Sequence, residues 1–322
     1  MQNLLTADIG ATNSRFGHFR LDDQGALELV ETIWLPTSEV SSFGELLNHL
    51  TVQWFSLTPA QVDLAVLAVA GPVEGGTYSA PPYIAWDIDV THAREDFGLR
   101  SVFLINDFVA QAFACASPIM ASAQQVVAGR IDAAAAKAVI GAGTALGQAA
   151  LLPDGKGGYL PAPSEGGHAS FPFESDKEFA YLAFLLNEVG GPYVTCNTVV
   201  SGRGLSLVHQ FLTGEKLTPA ELESRAHPDL ETVQWMARFY ARACRNYALQ
   251  VLAMGGVYIT GGVAAKLPCL VTNEEFTREF RRSKTMARVL EKIPVFLNTN
   301  EESGLWGAGV AAQQFLRTGS IV

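Results

Sequence analysis

The chain has 322 residues and a net charge of -10 at pH 7, which leaves room for two domains with their own cores and argues against nucleic acid as a main partner. No stretch approaches the roughly 20 apolar residues of a membrane span, and Asp8 interrupts the apolar run near the N-terminus, so a cytoplasmic protein acting on small molecules is expected. Cys115, Cys196, Cys244 and Cys269 lie far apart without a C-x-x-C pair; they define neither a zinc site nor a disulfide framework and read as reduced, buried thiols.

Leu4 to Phe16 is an apolar run, a small-residue turn and the start of a second apolar run that ends near Leu21, which is the pattern of a hairpin. Its tip carries Asp8, Gly10, Thr12 and Asn13. Glycine lets a backbone approach an anion closely, while Thr12 and Asn13 offer uncharged donors. Asp8 can hold a magnesium ion, directly or through water, because that ion takes oxygen ligands and keeps several waters. The same residues also suit a tight turn that uses Asp and Asn for its own geometry.

Phe43, Leu46, Leu47, Leu50 and Trp54 predict an amphipathic helix over 42–55, and Asp63 to Ala70 a strand covered on both faces. Gly71-Pro72 opens a poorly periodic loop reaching Trp86. Val102 to Ile105 is a second buried strand that runs into Asn106-Asp107 and then a helical stretch, 108–114. Ligands of open α/β sheets lie at such strand ends. Phosphoryl transfer to an alcohol needs a carboxylate that accepts the hydroxyl proton, which Asp107 could supply beside the amide of Asn106. As an alternative, Asp107 caps the helix that follows.

From Ala138 to Leu152 a strand, a glycine turn with Gly141, Gly143 and Thr144, and another strand repeat the opening pattern, so a duplicated architecture is expected. Glu165 and His168, separated by two glycines, could bracket adjacent sugar hydroxyls; metal ligation lacks a third ligand nearby. Ser175 with Glu178 reads as a capping box for a helix to about Val189, closed by Gly190. Further helices are expected over 203–212, from Thr218-Pro219, over 229–254, 273–282 and 304–316, with strands over 257–260 and 294–297. Gly261-Gly262 ends the first of these strands and could let an adenine ring lie on the backbone. Arg278, Arg281, Arg282, Lys284 and Arg288 alternate with acidic neighbours, as on a solvated helix face.

Taken together, Asp8-x-Gly10-x-Thr12-x-x-Arg15, Gly141-Ala142-Gly143-Thr144 and Ile259-Thr260-Gly261-Gly262 resemble the two phosphate motifs and the adenosine motif of the sugar kinase/actin/heat-shock ATPase superfamily. Leu104-Ile105-Asn106-Asp107-Phe108, Glu165-Gly166-Gly167-His168 and Val200-Ser201-Gly202-x-Gly204-Leu205 resemble the bacterial-type ATP-dependent glucokinases, nearly end to end. The cysteine-rich zinc motif of the repressor-type sugar kinases is absent, which excludes that branch. The resemblance implies an α/β, two-domain actin-like (ribonuclease-H-like) fold with a deep cleft, a small domain of 1–107 plus 304–322 and a large one of 108–303. It implies transfer of the ATP γ-phosphate to the 6-hydroxyl of glucose with Mg²⁺. Asp107 would be the base, with Asn106, Asp107, Glu165, His168 and Asn197 on the sugar. Asp8, Gly10, Thr12, Asn13, Gly143, Thr144, Gly261 and Gly262 would face ATP, with Asp8 toward the metal. A homodimer is also implied.

The departures fall on the sugar side. Asn197 stands where the family usually has Glu, Ser164 where Gly is usual, and 81–86 (Pro-Pro-Tyr-Ile-Ala-Trp) lacks the family's Asn. An amide loses the charge-assisted contact of a carboxylate, which is typically about twice as strong. Weaker glucose affinity, another hexose, or a catalytically weak sugar sensor on the same scaffold are the corresponding alternatives.

Overall fold

The computed structural model describes residues 1–53 and 55–319; the part of the helix expectation resting on Trp54, and residues 320–322 of the expected small domain, lie outside the described residues. Contacts divide the chain into two compact units, Met1–Ala121 with Asp154–Pro161 and Asn300–Val322, and Ser122–Pro153 with Ala162–Thr299.

In the first unit, β1 (Gln2–Ile9), β2 (Asn13–Leu21), β3 (Leu27–Pro36), β4 (Leu64–Val69) and β7 (Val102–Asn106) form a sheet in the order β3-β2-β1-β4-β7; β5 (Tyr78–Ser79) and β6 (Ile88–Asp89) make a separate two-stranded pair. β1 and β2 pair antiparallel as the opening hairpin, with Asp8 opposite Arg15, and β4 runs parallel to β1 and to β7. β4 is buried at all six positions, as its unbroken apolar run requires. β3 alternates between half-buried and exposed residues at the sheet edge, carrying Glu28 and Glu31; that mixed pattern hid it from the sequence reading.

The helix Phe43–Val52 starts from Ser42, whose side chain accepts the Glu45 N–H, and buries Phe43, Leu46, Leu47 and Leu50 on one face. The helix Ser303–Thr318 packs on the helix Asp107–Ala114 through Gly307, where any Cβ would collide with the Ala110 carbonyl. Ser303 Oγ donates to Gln111 Oε1 at 2.7 Å across that contact, and Trp306 meets Phe19 edge to face.

In the second unit, β8 (Gln124–Val127), β9 (Lys137–Ala142), β10 (Leu146–Pro153), β11 (Tyr159–Ser164), β12 (Val257–Thr260) and β13 (Val295–Leu297) take the order β11-β10-β9-β12-β13-β8. β9 and β10 are an antiparallel hairpin, β12 is parallel to both β9 and β13, and β8 is an added antiparallel edge. The first five strands of this order repeat the first sheet's arrangement, which is the duplication the two glycine-tipped hairpins led us to expect.

The helix Glu231–Gln250 is the core of this unit and is buried on most of its faces. Phe171, Phe173, Tyr181, Trp235 and Phe239 pack edge to face or stacked around it. In its middle Arg242, 1% exposed, binds Glu178 (2.6 Å) and Glu279 (3.0 Å) and donates to the Pro172 carbonyl. Burial opposes that charge, yet the hydrogen bonds it donates to Glu178 and Glu279 outweigh this and hold the guanidinium above its ordinary pKa. Arg245 shares Glu279 and reaches Glu174; there desolvation wins and its pKa is lowered.

This network revises two expectations. Ser175 does cap the helix Asp176–Val189 by accepting the Glu178 N–H, but the Glu178 carboxylate turns to the Glu174 N–H and Arg242 rather than completing a capping box. Nor is the basic stretch wholly solvated: Arg282 pairs with Glu174 and Glu279, Arg278 with Glu275, and Arg281 donates to the Ala128 carbonyl. A carboxylate that a buried arginine can reach is drawn inward, because that arginine has no water to satisfy it.

Candidate active site

In the first unit the β1–β2 turn is closed by Gly10 N–H donating to the Asn13 carbonyl (3.2 Å), and Thr37 N–H donates to the Thr12 carbonyl (2.9 Å). Thr12 and Asn13 are exposed at the tip. Asp8 lies one register pair inside, 3.5 Å from Arg15, whose guanidinium stacks 3.9 Å over Trp34. Burial raises the Asp8 pKa, and Arg15 pulls against that shift. The first turn of the helix Ser303–Thr318 reaches the same carboxylate: a Cβ on Gly304 would lie 2.5 Å from Asp8 Oδ2.

Asn106 and Asp107 divide the work at the end of β7. Asn106, not Asp107, is the N-cap: its Oδ1 accepts from Phe108 N–H (2.9 Å) and Val109 N–H (3.3 Å), while its Nδ2 donates to the Gly71 carbonyl (3.0 Å). Asp107 is thereby fixed as the first helical residue, with Oδ1 3.0 Å from Phe108 N. The side-chain amide that sequence reading aimed at a sugar is engaged at both ends by the backbone.

In the second unit Gly143, Thr144 and Gly262 come together on one pocket of about 490 Å³. Its remaining wall includes Gly202, Arg203, Thr218, Pro219, Glu223 and Lys266, none of which the sequence analysis put in a site. Helix-start signals at Ser201-Gly202 and Thr218-Pro219 were visible, but nothing local showed that both would face the glycine turn. Lys266 pairs with Glu223 at 3.8 Å. Gly261 holds φ 89° and ψ 157°, a conformation open only to glycine, and its missing Cβ would stand 2.7 Å from the Ala142 carbonyl oxygen. Gly261→Ala is therefore expected to cost about 1–3 kcal/mol of strain, read as a lowered melting temperature. An unchanged melting point would show that the strand end can relax.

Glu165 and His168 flank a single 3₁₀ turn and are 68% and 71% exposed, with Oε2 and Nε2 3.7 Å apart. Of their glycines Gly167 is obligatory, since a Cβ there would strike Asn197 and the Leu146 carbonyl, whereas one on Gly166 would meet the end of the Gln148 side chain. Asn197, at the start of the short helix Cys196–Val199, accepts the Leu146 N–H through Oδ1 at 2.8 Å. Among the described residues no group of three or more His, Cys, Asp or Glu side chains could hold a metal, and no helix is long and apolar enough to cross a membrane.

Known proteins resemble this chain over nearly its whole length. A glucokinase from Pseudomonas paraeruginosa is 34% identical over 97% of this chain and 93% of its own length, and one from Nostoc punctiforme is 30% identical over 97% and 99%. The crystal structure of a glucokinase from an Antarctic psychrotroph superposes with a TM-score of 0.83 at 26% identity, covering 98% of this chain and 99% of that one. The glucokinase family model matches residues 5–315. With two glycine-tipped hairpins on like-ordered sheets and a carboxylate seated at a strand end, the chain belongs to the glucokinase family of sugar kinases.

Proposed function

We propose that this protein is a cytoplasmic, magnesium-dependent kinase that moves the γ-phosphoryl group of ATP to the 6-hydroxyl of glucose. The observation that carries the reading is the seat of Asp107: the Asn106 cap, tied to Gly71, presents the carboxylate at the first turn of a helix. There it accepts the hydroxyl proton as the new O–P bond forms and the bond to ADP breaks. Glu165 and His168 serve the sugar hydroxyls, with Asn106 acting through the position it gives Asp107. Gly10, Thr12 and Asn13 serve the phosphates in the first unit, and Gly143, Thr144, Gly261 and Gly262 serve the nucleotide in the second. A homodimer is part of the same proposal.

Magnesium fits this donor set. The ion commonly takes one or two carboxylates plus substrate phosphates, and Asp8 is a carboxylate beside a helix start kept clear by Gly304. Asp8 would hold the ion directly or through water, and the ion would neutralise charge on the phosphates.

Two observations favour a changed sugar preference: Asn197 spends its oxygen on the Leu146 backbone, and Tyr83, in the segment lacking the family's Asn, is 66% exposed. Sugar-dependent ADP release across a hexose panel tests both readings. Turnover with glucose ahead of other hexoses is expected. A lead of ~100-fold for another hexose, about 2.7 kcal/mol of discrimination, would reassign the substrate. Binding of ATP and sugar without turnover would make the protein a sensor.

A further inference from the structure

The parallel ladder between β9 and β12 runs from Val257 opposite Ala138 to Thr260 opposite Gly141 and then stops. Beyond it the two strands part, β9 into the turn at Gly143-Thr144 and β12 into Gly261-Gly262, and the pocket opens at the residues after the fork. At the fork the Ala142 N–H donates to the Tyr240 hydroxyl oxygen at 3.0 Å, and the same hydroxyl donates to the Thr260 carbonyl at 3.5 Å. One hydroxyl thus stands in for the direct rung that would join the Ala142 N–H to the Thr260 carbonyl. Tyr240 is fully buried on the helix Glu231–Gln250, so no water can replace it without a new cavity. Burial also raises the pKa of the phenol, which keeps the proton needed for the Thr260 bond.

We propose that Tyr240 is a positioning residue of the nucleotide site, its hydroxyl setting the gap between the phosphate turn and the Gly261-Gly262 turn. The helical periodicity of 229–254 counts this tyrosine as core, and its ring is core; the hydroxyl is the part with a second duty. The inference rests on the reading of the pocket as a nucleotide site, and the test separates the two.

The test is calorimetric titration of the full chain with Mg²⁺ and a non-hydrolysable ATP analogue, comparing wild type, Tyr240→Phe and Tyr181→Phe. Tyr181 is the control, since it is an equally buried tyrosine of the same unit whose hydroxyl has no hydrogen-bond partner among the described residues. Tyr240→Phe is expected to weaken the analogue about tenfold, which corresponds to about 1.4 kcal/mol, and to raise the Michaelis constant for ATP while leaving that for sugar unchanged. Tyr181→Phe should match wild type in both. An affinity of Tyr240→Phe within about twofold of wild type overturns the inference, whatever happens to its melting temperature. Wild type failing to bind the analogue overturns the nucleotide reading itself. Amide exchange in wild type adds a check that needs no variant: the Ala142 N–H should be protected like the core amides, and rapid exchange there overturns the bridge.

Discussion

Replacing Asp107 by Asn is expected to lower kcat by about 10²–10⁴, the usual contribution of a general base, while sugar and nucleotide still bind. The substitution keeps size and shape and leaves the elements that seat residue 107 untouched, since the cap and the Gly71 tie belong to Asn106. An amide cannot take the proton. The measurement pairs a coupled ADP assay with calorimetric sugar binding on the same preparation. A kcat within about threefold of wild type would remove Asp107 from the chemistry. A loss of sugar binding equal to the loss of rate would make it a ligand for the sugar instead.

Arg242→Met should be the most destabilising single change in the second unit, at about 3–5 kcal/mol, because removing one partner of a buried ion pair strands the other. Here Glu178, 3% exposed, loses its charged partner, while Glu279, 6% exposed, keeps Arg245 and Arg282. Methionine follows the arginine stem and has no donors. Urea unfolding reads the effect, with Glu178→Gln as the companion change. In the double variant the loss should be smaller than the sum of the two singles, the coupling expected of groups in one network. A drop below about 1 kcal/mol for Arg242→Met would mean that water reaches the cluster and screens it.

Both predictions concern residues the sequence treated unequally. Asp107 was legible because a buried strand, an Asn-Asp pair and a helix follow one another locally. The glycine hairpins and the parallel strands Leu64–Val69 and Val102–Asn106 were legible for the same reason, as period and punctuation over a few residues. Arg242 was invisible: it sits inside the helical period of 229–254, and its partners lie 64 and 37 positions away. The pocket we assign to the nucleotide was half legible. Its glycines announce themselves, whereas Arg203, Thr218, Glu223 and Lys266 reach it only through packing of separate helices. Asn106 was assigned a ligand when the helix start claimed its amide, since capping satisfies buried N–H groups that would otherwise be left without a partner.

The way the helix Ser303–Thr318 closes the first unit has a consequence for how the chain is made. That unit begins with Met1–Ala121 yet needs Gly304 beside Asp8 and Gly307 against Ala110. During synthesis its sheet is expected to emerge early and wait, one apolar face uncovered, until residues 303–318 follow. The second unit, Ser122–Pro153 with Ala162–Thr299, is complete sooner, so the part translated first is finished last. Nascent chains cut at residue 299 and stalled behind a linker long enough to clear the ribosomal exit tunnel should show the second unit protected from protease and the first still open, the period in which a chaperone has most to cover. Protection of the first unit at that stall would show that its sheet holds without the helix.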